Sequence, residues 1–186
     1  MNTENKIDME IFKVIQGAMQ ESADLEDMGN SLVQLLTGTL DIRGCTLFLA
    51  NPRNKELEIL TTFGLSPGYL TKGAISSKKS IAAVYNKKPV FIEDTLKTDL
   101  LQYPEAAQKE GIKSIISLPV VFSGKVIGAL RLYNHHSWDV PENAIETLML
   151  FADHVGMAMM YTRLLNAFLL IKDTVEDVHD IWVDKY

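Results

Sequence analysis

Apolar residues near the N-terminus recur every three or four positions, which predicts two amphipathic helices. Asp24 precedes the second helix and is suited to cap it, because its carboxylate can accept hydrogen bonds from the first free backbone N–H groups. The apolar positions are Ile7, Ile11, Val14 and Ala18 in the first helix, and Leu25, Met28, Leu32 and Leu35 in the second.

After Gly44 the apolar pattern changes to that of β-strands. The runs "CTLFLA" and "LEILTTF" flank the turn-rich "NPRNKE", which predicts a β-hairpin. A second hairpin is predicted in "SIISLPVVFSGKVIGALRLYN", which turns at Ser123-Gly124 and carries one charged side chain, Arg131, within a strand. Strands joined by short turns pair antiparallel, and no βαβ alternation occurs. The sequence therefore predicts an α+β fold.

The region from Gly64 to Gly111 is less regular and separates the two hairpins. It predicts two short helices, at "SIAAVYNKK" and "PEAAQKEG", and a brief strand at "VFI". From Pro141 onward no helix-breaking residue occurs, and proline is well tolerated in the first turn of a helix. One long C-terminal helix is therefore expected.

The long C-terminal helix carries two apolar stripes. The earlier stripe, which can cover the sheet, comprises Ile145, Leu148, Ala152, Val155 and Met159. The later stripe alternates spacings of four and three, the seam of a coiled coil. We expect it to hold a parallel homodimer, or alternatively to be covered by the first helix within one chain. This dimer seam comprises Met157, Tyr161, Leu164, Phe168, Ile171, Val175, Val178 and Trp182.

The composition of the chain restricts which binding partners and which cellular location are expected. The chain has 186 residues and a net charge of −6, which argues against nucleic acid as a partner because phosphate binding needs clustered cations. A single cysteine, Cys45, excludes an internal disulfide and is typical of a reducing compartment. The N-terminal segment shows neither a signal peptide nor a membrane span. We therefore predict a cytoplasmic protein with no membrane partner.

The second hairpin, the loop after it and the long helix resemble a GAF domain, a sensory module related to PAS domains. The resemblance lies in the order and spacing of a Ser-x-x-x-x-Pro strand, a glycine turn, an Ile-Gly-x-Leu strand ending in Asn, an aromatic-acidic loop and a Phe-Ala helix. It covers roughly residues 24–165. The matching residues are Ser114, Pro119, Gly124, Ile127, Gly128, Leu130, Asn134, Trp138, Glu142, Phe151 and Ala152.

The resemblance implies a GAF-like central antiparallel β-sheet with helices on both faces and a long C-terminal helix. The first and last helices would lie on one face, and the irregular segment would enclose a small-molecule pocket on the other. Asp94 could accept a ligand hydrogen bond, although capping of a local turn is favoured. The predicted ligand-binding residues are Phe63, Tyr69, Ile75, Tyr85, Phe91, Asp94 and Tyr103.

The same family includes enzymes and cofactor-binding members, and the residues here argue against each. One cysteine cannot both attack and resolve, as free methionine sulfoxide reduction requires, and Cys45 has no neighbouring histidine for bilin attachment. Cyclic-nucleotide-binding members carry an Asn-Lys-Phe-Asp-Glu set, of which Asn134 matches, whereas His135 and Trp138 replace Lys and Phe. The adjacent His135 and His136 are expected to diverge, with no metal site. The sequence identifies no cofactor.

These observations predict three segments: an amphipathic helix at residues 1–23, a GAF-like sensory domain at 24–165 and a coiled-coil-like extension at 166–186. The expected function is non-enzymatic: the protein binds an unidentified small molecule and transmits a change in shape to its terminal helices. Because no output domain is recognisable, a separate signalling protein would receive the signal. A ligand-free dimerisation or docking module is the main alternative, and a GAF-type enzyme is disfavoured.

Overall fold

The structure, a computed structural model, describes residues 9–20, 22, 24–51, 53, 54, 56–73, 82–138 and 140–183. Its helices are α1 (Met9–Gln20), α2 (Leu25–Leu40), α3 (Pro67–Leu70), α4 (Ala82–Tyr85), α5 (Pro104–Lys109) and α6 (Glu142–Val183). The Asp24 carboxylate accepts hydrogen bonds from the backbone N–H groups of Glu26 and Asp27, at 2.8 and 2.9 Å. The predicted cap of the second helix is confirmed.

Five antiparallel strands form one sheet. They are β1 (Gly44–Ala50), β2 (Leu57–Phe63), β3 (Val90–Ile92), β4 (Ser114–Phe122) and β5 (Lys125–Asn134), and their order in space is β2-β1-β5-β4-β3. Both predicted hairpins are present as β1–β2 and β4–β5. The pairing of β1 with β5 joins the hairpins into one sheet, and the predicted α+β fold is confirmed.

One face of the sheet packs against α2 and the first half of α6, and α1 packs against these two helices. Alternate residues of the central strands point to this face, among them Leu47, Leu118 and Leu130, all fully buried. From α6 they meet Leu148, Ala152, Val155 and Met159, which are four of the five residues predicted to cover the sheet. The fifth, Ile145, is half-buried and is not part of this core. Gly156 lets α6 approach closely, since a Cβ there would lie 2.5 Å from the carbonyl oxygen of Val121.

The opposite face carries a second, smaller core formed with the segment between β2 and β4. Phe48, Ile115, Ala129 and Tyr133 of the sheet pack with residues of that segment. The segment contributes Tyr69, Val84, Leu101, Ala107 and Ile112, all buried. The irregular region therefore covers the second face of the sheet, as predicted.

Candidate functional site

A cleft of about 600 Å³ opens in this second layer between α3 and α5. Ser66, Tyr69 and Lys72 form its wall on the α3 side, and Tyr103, Lys109 and Glu110 belong to its wall on the α5 side. Pro67 begins α3, and the Ser66 hydroxyl caps it by accepting a hydrogen bond from the Tyr69 N–H at 3.2 Å. Local capping thus holds the short helix that carries Tyr69 into the cleft, and Lys72 follows directly after the end of this helix.

The main charged side chain in the α3 wall of the cleft is Lys72, which contacts Tyr69. The Lys72 Nζ lies 3.5 Å from the centroid of the Tyr69 ring and donates to the Tyr69 carbonyl at 2.9 Å. Burial, and then the positive charge of Arg131, lower the pKa of Lys72 to about 8, although Glu110 acts in the opposite direction. Beneath it, the Tyr69 ring meets Tyr133 edge to face, with centroids 5.8 Å apart. Burial raises the pKa of both phenols.

Glu110 connects the two walls of the cleft. Its Oε1 accepts hydrogen bonds at 2.9 Å from the Ser66 N–H and from the Arg43 guanidinium, and its Oε2 accepts from the Ser66 hydroxyl. Its side chain is 5% exposed. Burial raises the pKa of this carboxyl, but the Ser66 hydrogen bonds and the Arg43 charge outweigh burial and lower it. Glu110 is therefore a charged group that ties the end of α5 to the start of α3.

A row of polar side chains crosses the sheet beneath this layer. The register aligns Thr62, Thr46, Arg131 and Ser117 on four neighbouring strands. Arg131 is 4% exposed and its Nε donates to the Ser117 hydroxyl at 2.9 Å, while the Thr46 and Thr62 hydroxyls lie 2.8 Å apart. Because their chain neighbours Leu130, Leu132 and Leu47 face the helices, these residues point to the opposite layer.

The rim of the cleft depends on a glycine. Gly73 has φ +121°, a conformation that disfavours side chains, and a Cβ there would lie 2.6 Å from the Tyr103 hydroxyl. The same hydroxyl accepts a hydrogen bond from the Gln102 amide at 3.0 Å. The chain after α3 can therefore pass directly over Tyr103, which brings the two walls together.

The structure places the seven predicted ligand-binding residues in different regions. Tyr69 and Tyr103 line the cleft. Tyr85 packs beside the second core and donates to the Glu56 carbonyl at 3.1 Å. Ile75 lies outside the described residues.

Phe63, Phe91 and Asp94 are not brought to the cleft. Phe91 packs against the helical core, because Val90 and Ile92 on either side of it take the inward positions of the second layer. Phe63 ends the edge strand β2 and is 43% exposed, opposite Cys45, which faces the helices. Asp94 accepts from the Leu96 N–H at 2.9 Å, so it caps a local turn.

Four residues in or beside the cleft had little or no sequence signal. Arg131 was visible as the one charge within the strands of an apolar hairpin, although its partners were not. Glu110 and Arg43 are 67 residues apart in sequence, and no local pattern links them. Lys72 stood out only as one of several lysines between Tyr69 and Ile92.

The remaining chemical groups that the sequence singled out are Cys45, potential metal ligands and the adjacent histidines. Cys45 is fully buried at the start of β1, and burial raises the pKa of its thiol, which disfavours the reactive thiolate. In the described part of the chain, no group of three potential metal ligands converges. The prediction that the His135 and His136 rings diverge is wrong: their centroids lie 4.0 Å apart, although both residues are exposed.

The predicted dimer seam lies on the outer side of α6, away from the sheet. Six of its side chains are between 49% and 64% exposed: Met157, Tyr161, Leu164, Phe168, Ile171 and Val175. The side chains of Val178 and Trp182 lie outside the described part of the structure. Val14 of α1 packs in the helical core, whereas Phe12 and Met19 line a groove together with Tyr161, at the beginning of the seam.

The exposed seam and the core-facing stripe together make α6 apolar. The stretch Ala144–Val175 is long and apolar enough to cross a membrane, with a mean hydropathy of 1.2. Its first half, however, supplies Leu148, Phe151 and Val155 to the core of the domain. A long helix that packs one apolar face in a protein core and exposes another apolar face meets the same criteria of length and composition as a membrane-spanning helix.

Comparison with known proteins identifies relatives of this fold. The sequence profile of the GAF domain matches residues 22–160. No curated protein matches the sequence significantly. The GAF domain of a phosphoenolpyruvate-protein phosphotransferase from Coxiella burnetii is 18% identical, with a TM-score of 0.73, over 90% of this chain and 99% of that chain.

Two further solved structures share the fold. A methyl-accepting chemotaxis protein fragment is 18% identical, with a TM-score of 0.65, over 82% of this chain and 99% of that chain. Free methionine-R-sulfoxide reductase from Neisseria meningitidis, solved with its substrate, is 16% identical, with a TM-score of 0.69, over 83% of this chain and 91% of that chain. At these identities the similarity establishes the fold and not the activity.

Proposed function

This chain belongs to the GAF domain family, and we propose that it is a non-enzymatic regulatory domain that binds a small molecule between α3 and α5 and signals through a homodimer of α6. The family profile matches most of the chain. One of the solved structures with a similar fold is a fragment of a methyl-accepting chemotaxis protein. Small-molecule sites are concave and combine apolar walls with a few polar groups, which describes the cleft beside Tyr69 and Lys72.

The observation that carries this proposal is the double role of α6. Its first half lies directly on the sheet, where Gly156 allows contact with the backbone of β4. The opposite face of β4 carries Ser117, which holds Arg131 below the cleft layer. The same helix continues into the exposed seam. A change in the cleft therefore has a short physical route, through the sheet and α6, to a surface suited to a second copy.

The dimer is inferred from the size of the exposed apolar seam. Soluble monomers seldom expose a contiguous apolar patch of this kind. The seam repeats at spacings of four and three over residues 157–175, which is the geometry of two helices packed in a left-handed coiled coil. A second copy of α6, aligned in parallel, would cover it with an identical stripe.

The non-enzymatic assignment is supported by the state of Cys45. A reductase of methionine sulfoxide needs an accessible thiolate and a second thiol, whereas this thiol is buried and is the chain's only cysteine. A separate protein would receive the signal from α6. A cytoplasmic location and the absence of a membrane partner remain predictions.

Light scattering on the full chain tests the dimer. The unmodified protein is expected to have the mass of a dimer, and the double variant Leu164→Glu/Phe168→Glu that of a monomer, because pairing would bury four carboxylates. Leu170→Glu is the matched control: Leu170 is 69% exposed on the same helix but lies on the far side from Phe168. A monomeric parent, or a double variant that remains dimeric, rules out this interface.

Native mass spectrometry of protein purified from its own host tests ligand binding. A small molecule retained by the folded protein and released on denaturation supports the sensor. A dimer without any retained compound favours the alternative, a ligand-free dimerisation or docking module.

A further inference from the structure

The charge around the cleft between α3 and α5 is opposite in sign to that of the whole protein. The chain has a net charge of −6. Among the described residues around the cleft, however, four cationic side chains stand against two carboxylates, those of Glu105 and Glu110. The cations are Lys72 and Lys109 in the walls, Arg43 beside Glu110, and the buried Arg131 below. Because Arg43 is paired with Glu110 at 2.9 Å, the remaining charge in the cleft is mainly positive.

Lys72 is the cation best placed to meet a ligand. Its ammonium is held by the Tyr69 ring and by one hydrogen bond, to the Tyr69 carbonyl. An ammonium has three N–H donors, and the described contacts use one of them. The cleft wall around it is partly apolar, with Ala106 and the Tyr103 ring opposite. The site thus combines a fixed positive charge with a surface that an organic group can contact.

We propose that this cleft binds a small organic carboxylate, with the negative charge on the Lys72 ammonium and the organic group against Tyr103 and Ala106. The inference specifies the ligand class of the proposed sensor and so rests on that proposal. Carboxylate is favoured over phosphate because Glu105, and to a smaller extent the Arg43-paired Glu110, would repel a doubly charged group more strongly than a singly charged one. Arg131 adds a favourable potential from below without needing to touch the ligand.

The electrostatics of the free cleft agree with this assignment. Burial and the Arg131 charge lower the pKa of Lys72 to about 8. A bound carboxylate would stabilise the charged ammonium and raise that pKa again, so binding and protonation of Lys72 are linked. The other titratable groups nearby are Tyr69, Tyr103, Tyr133, Lys109, Glu105 and Glu110.

Titration calorimetry on the full chain tests the site, with benzoate as the probe, benzyl alcohol as its neutral analogue and inorganic phosphate as a second anion. At neutral pH benzoate should bind at least about tenfold more tightly than benzyl alcohol and more tightly than phosphate, because only benzoate combines one charge with an apolar group. Lys72→Met should lower benzoate affinity about tenfold or more. Lys125→Met is the control, since Lys125 is exposed in the β4–β5 hairpin.

The pH dependence provides a second, independent readout. For the unmodified protein, benzoate affinity should fall about tenfold between neutral pH and one pH unit above the pKa of Lys72. Lys72→Arg should bind benzoate without this decline, because a guanidinium stays protonated there.

Four results would overturn the proposal. The first two are equal binding of benzoate and benzyl alcohol, and tighter binding of phosphate than of benzoate. The other two are a loss of benzoate affinity in Lys125→Met as large as that in Lys72→Met, and a Lys72→Met variant that still binds benzoate. These results are separable from the fate of the sensor. A dimer that retains a neutral compound in native mass spectrometry preserves the proposed function while contradicting the carboxylate. Benzoate binding at Lys72 in a monomeric protein contradicts the α6 dimer alone.

Discussion

Replacing Glu110 by glutamine tests whether its carboxylate holds α3 and α5 together. The carboxylate accepts from the Ser66 N–H, the Ser66 hydroxyl and the Arg43 guanidinium, and its side chain is 5% exposed. Glutamine has the same shape. It can keep its oxygen toward Arg43 and the Ser66 N–H and donate its amide to the Ser66 hydroxyl. The substitution therefore removes the charge while the contacts can persist.

The expected cost can be worked out from these three contacts. Hydrogen bonds to a charged group contribute about 1.5–3 kcal/mol each and neutral ones about 0.5–1.5 kcal/mol, so each contact loses about 1 kcal/mol. Arg43 is 39% exposed, and water screens its share. We expect Glu110→Gln to lower the free energy of unfolding by about 2 kcal/mol, and Glu110→Ala by about 3 kcal/mol because the Ser66 donors then lose their acceptor.

Urea unfolding at neutral pH measures this cost, with Glu105→Gln as the matched control because Glu105 is exposed on the same helix. The pH dependence has a definite sign. The folded pKa of Glu110 is lowered, so its stabilisation is present above the ordinary glutamate pKa and is lost as pH falls through the folded value. The difference in stability between the parent and Glu110→Gln should therefore shrink below about pH 4.

Two results would refute this reasoning. Equal urea midpoints for the Gln variants at positions 110 and 105 would show that the charge adds nothing. A difference that persists unchanged in acid would show that the loss arises from packing.

Three further predictions concern the packing of α6, the chemistry of Cys45 and the mobility of the cleft. Gly156→Val should destabilise the protein by about 2 kcal/mol, seen as a lower midpoint of thermal unfolding, because its Cβ meets the Val121 carbonyl at 2.5 Å; an unchanged midpoint contradicts the close packing. Cys45 should react with a thiol reagent only after unfolding, and the protein should not reduce free methionine sulfoxide; thioredoxin-coupled turnover lost in Cys45→Ser would overturn this. A bound compound should slow amide hydrogen exchange between Gly64 and Gly111; protection confined to α1 and α6 would place the ligand elsewhere.

Local patterns in the sequence were sufficient to predict the elements of the fold. The spacing of apolar residues and the turn residues between them predicted all five strands and the order of the main helices, because these depend on contacts a few residues apart. The division of α6 into a sheet-facing stripe and an outer seam also followed from helical periodicity.

The composition of the cleft was determined by tertiary structure. Period-two alternation shows that Phe91 points away from its neighbours Val90 and Ile92, but only the assembled sheet decides which face meets the helices. Likewise, Arg43 and Glu110 meet because the start of β1 and the end of α5 are brought together across 67 residues. Lys72 acquires its lowered pKa only through burial and the charge of Arg131 on a distant strand. Secondary structure depends on near neighbours in the chain, whereas the charge and chemistry of a site depend on the groups that folding places around it.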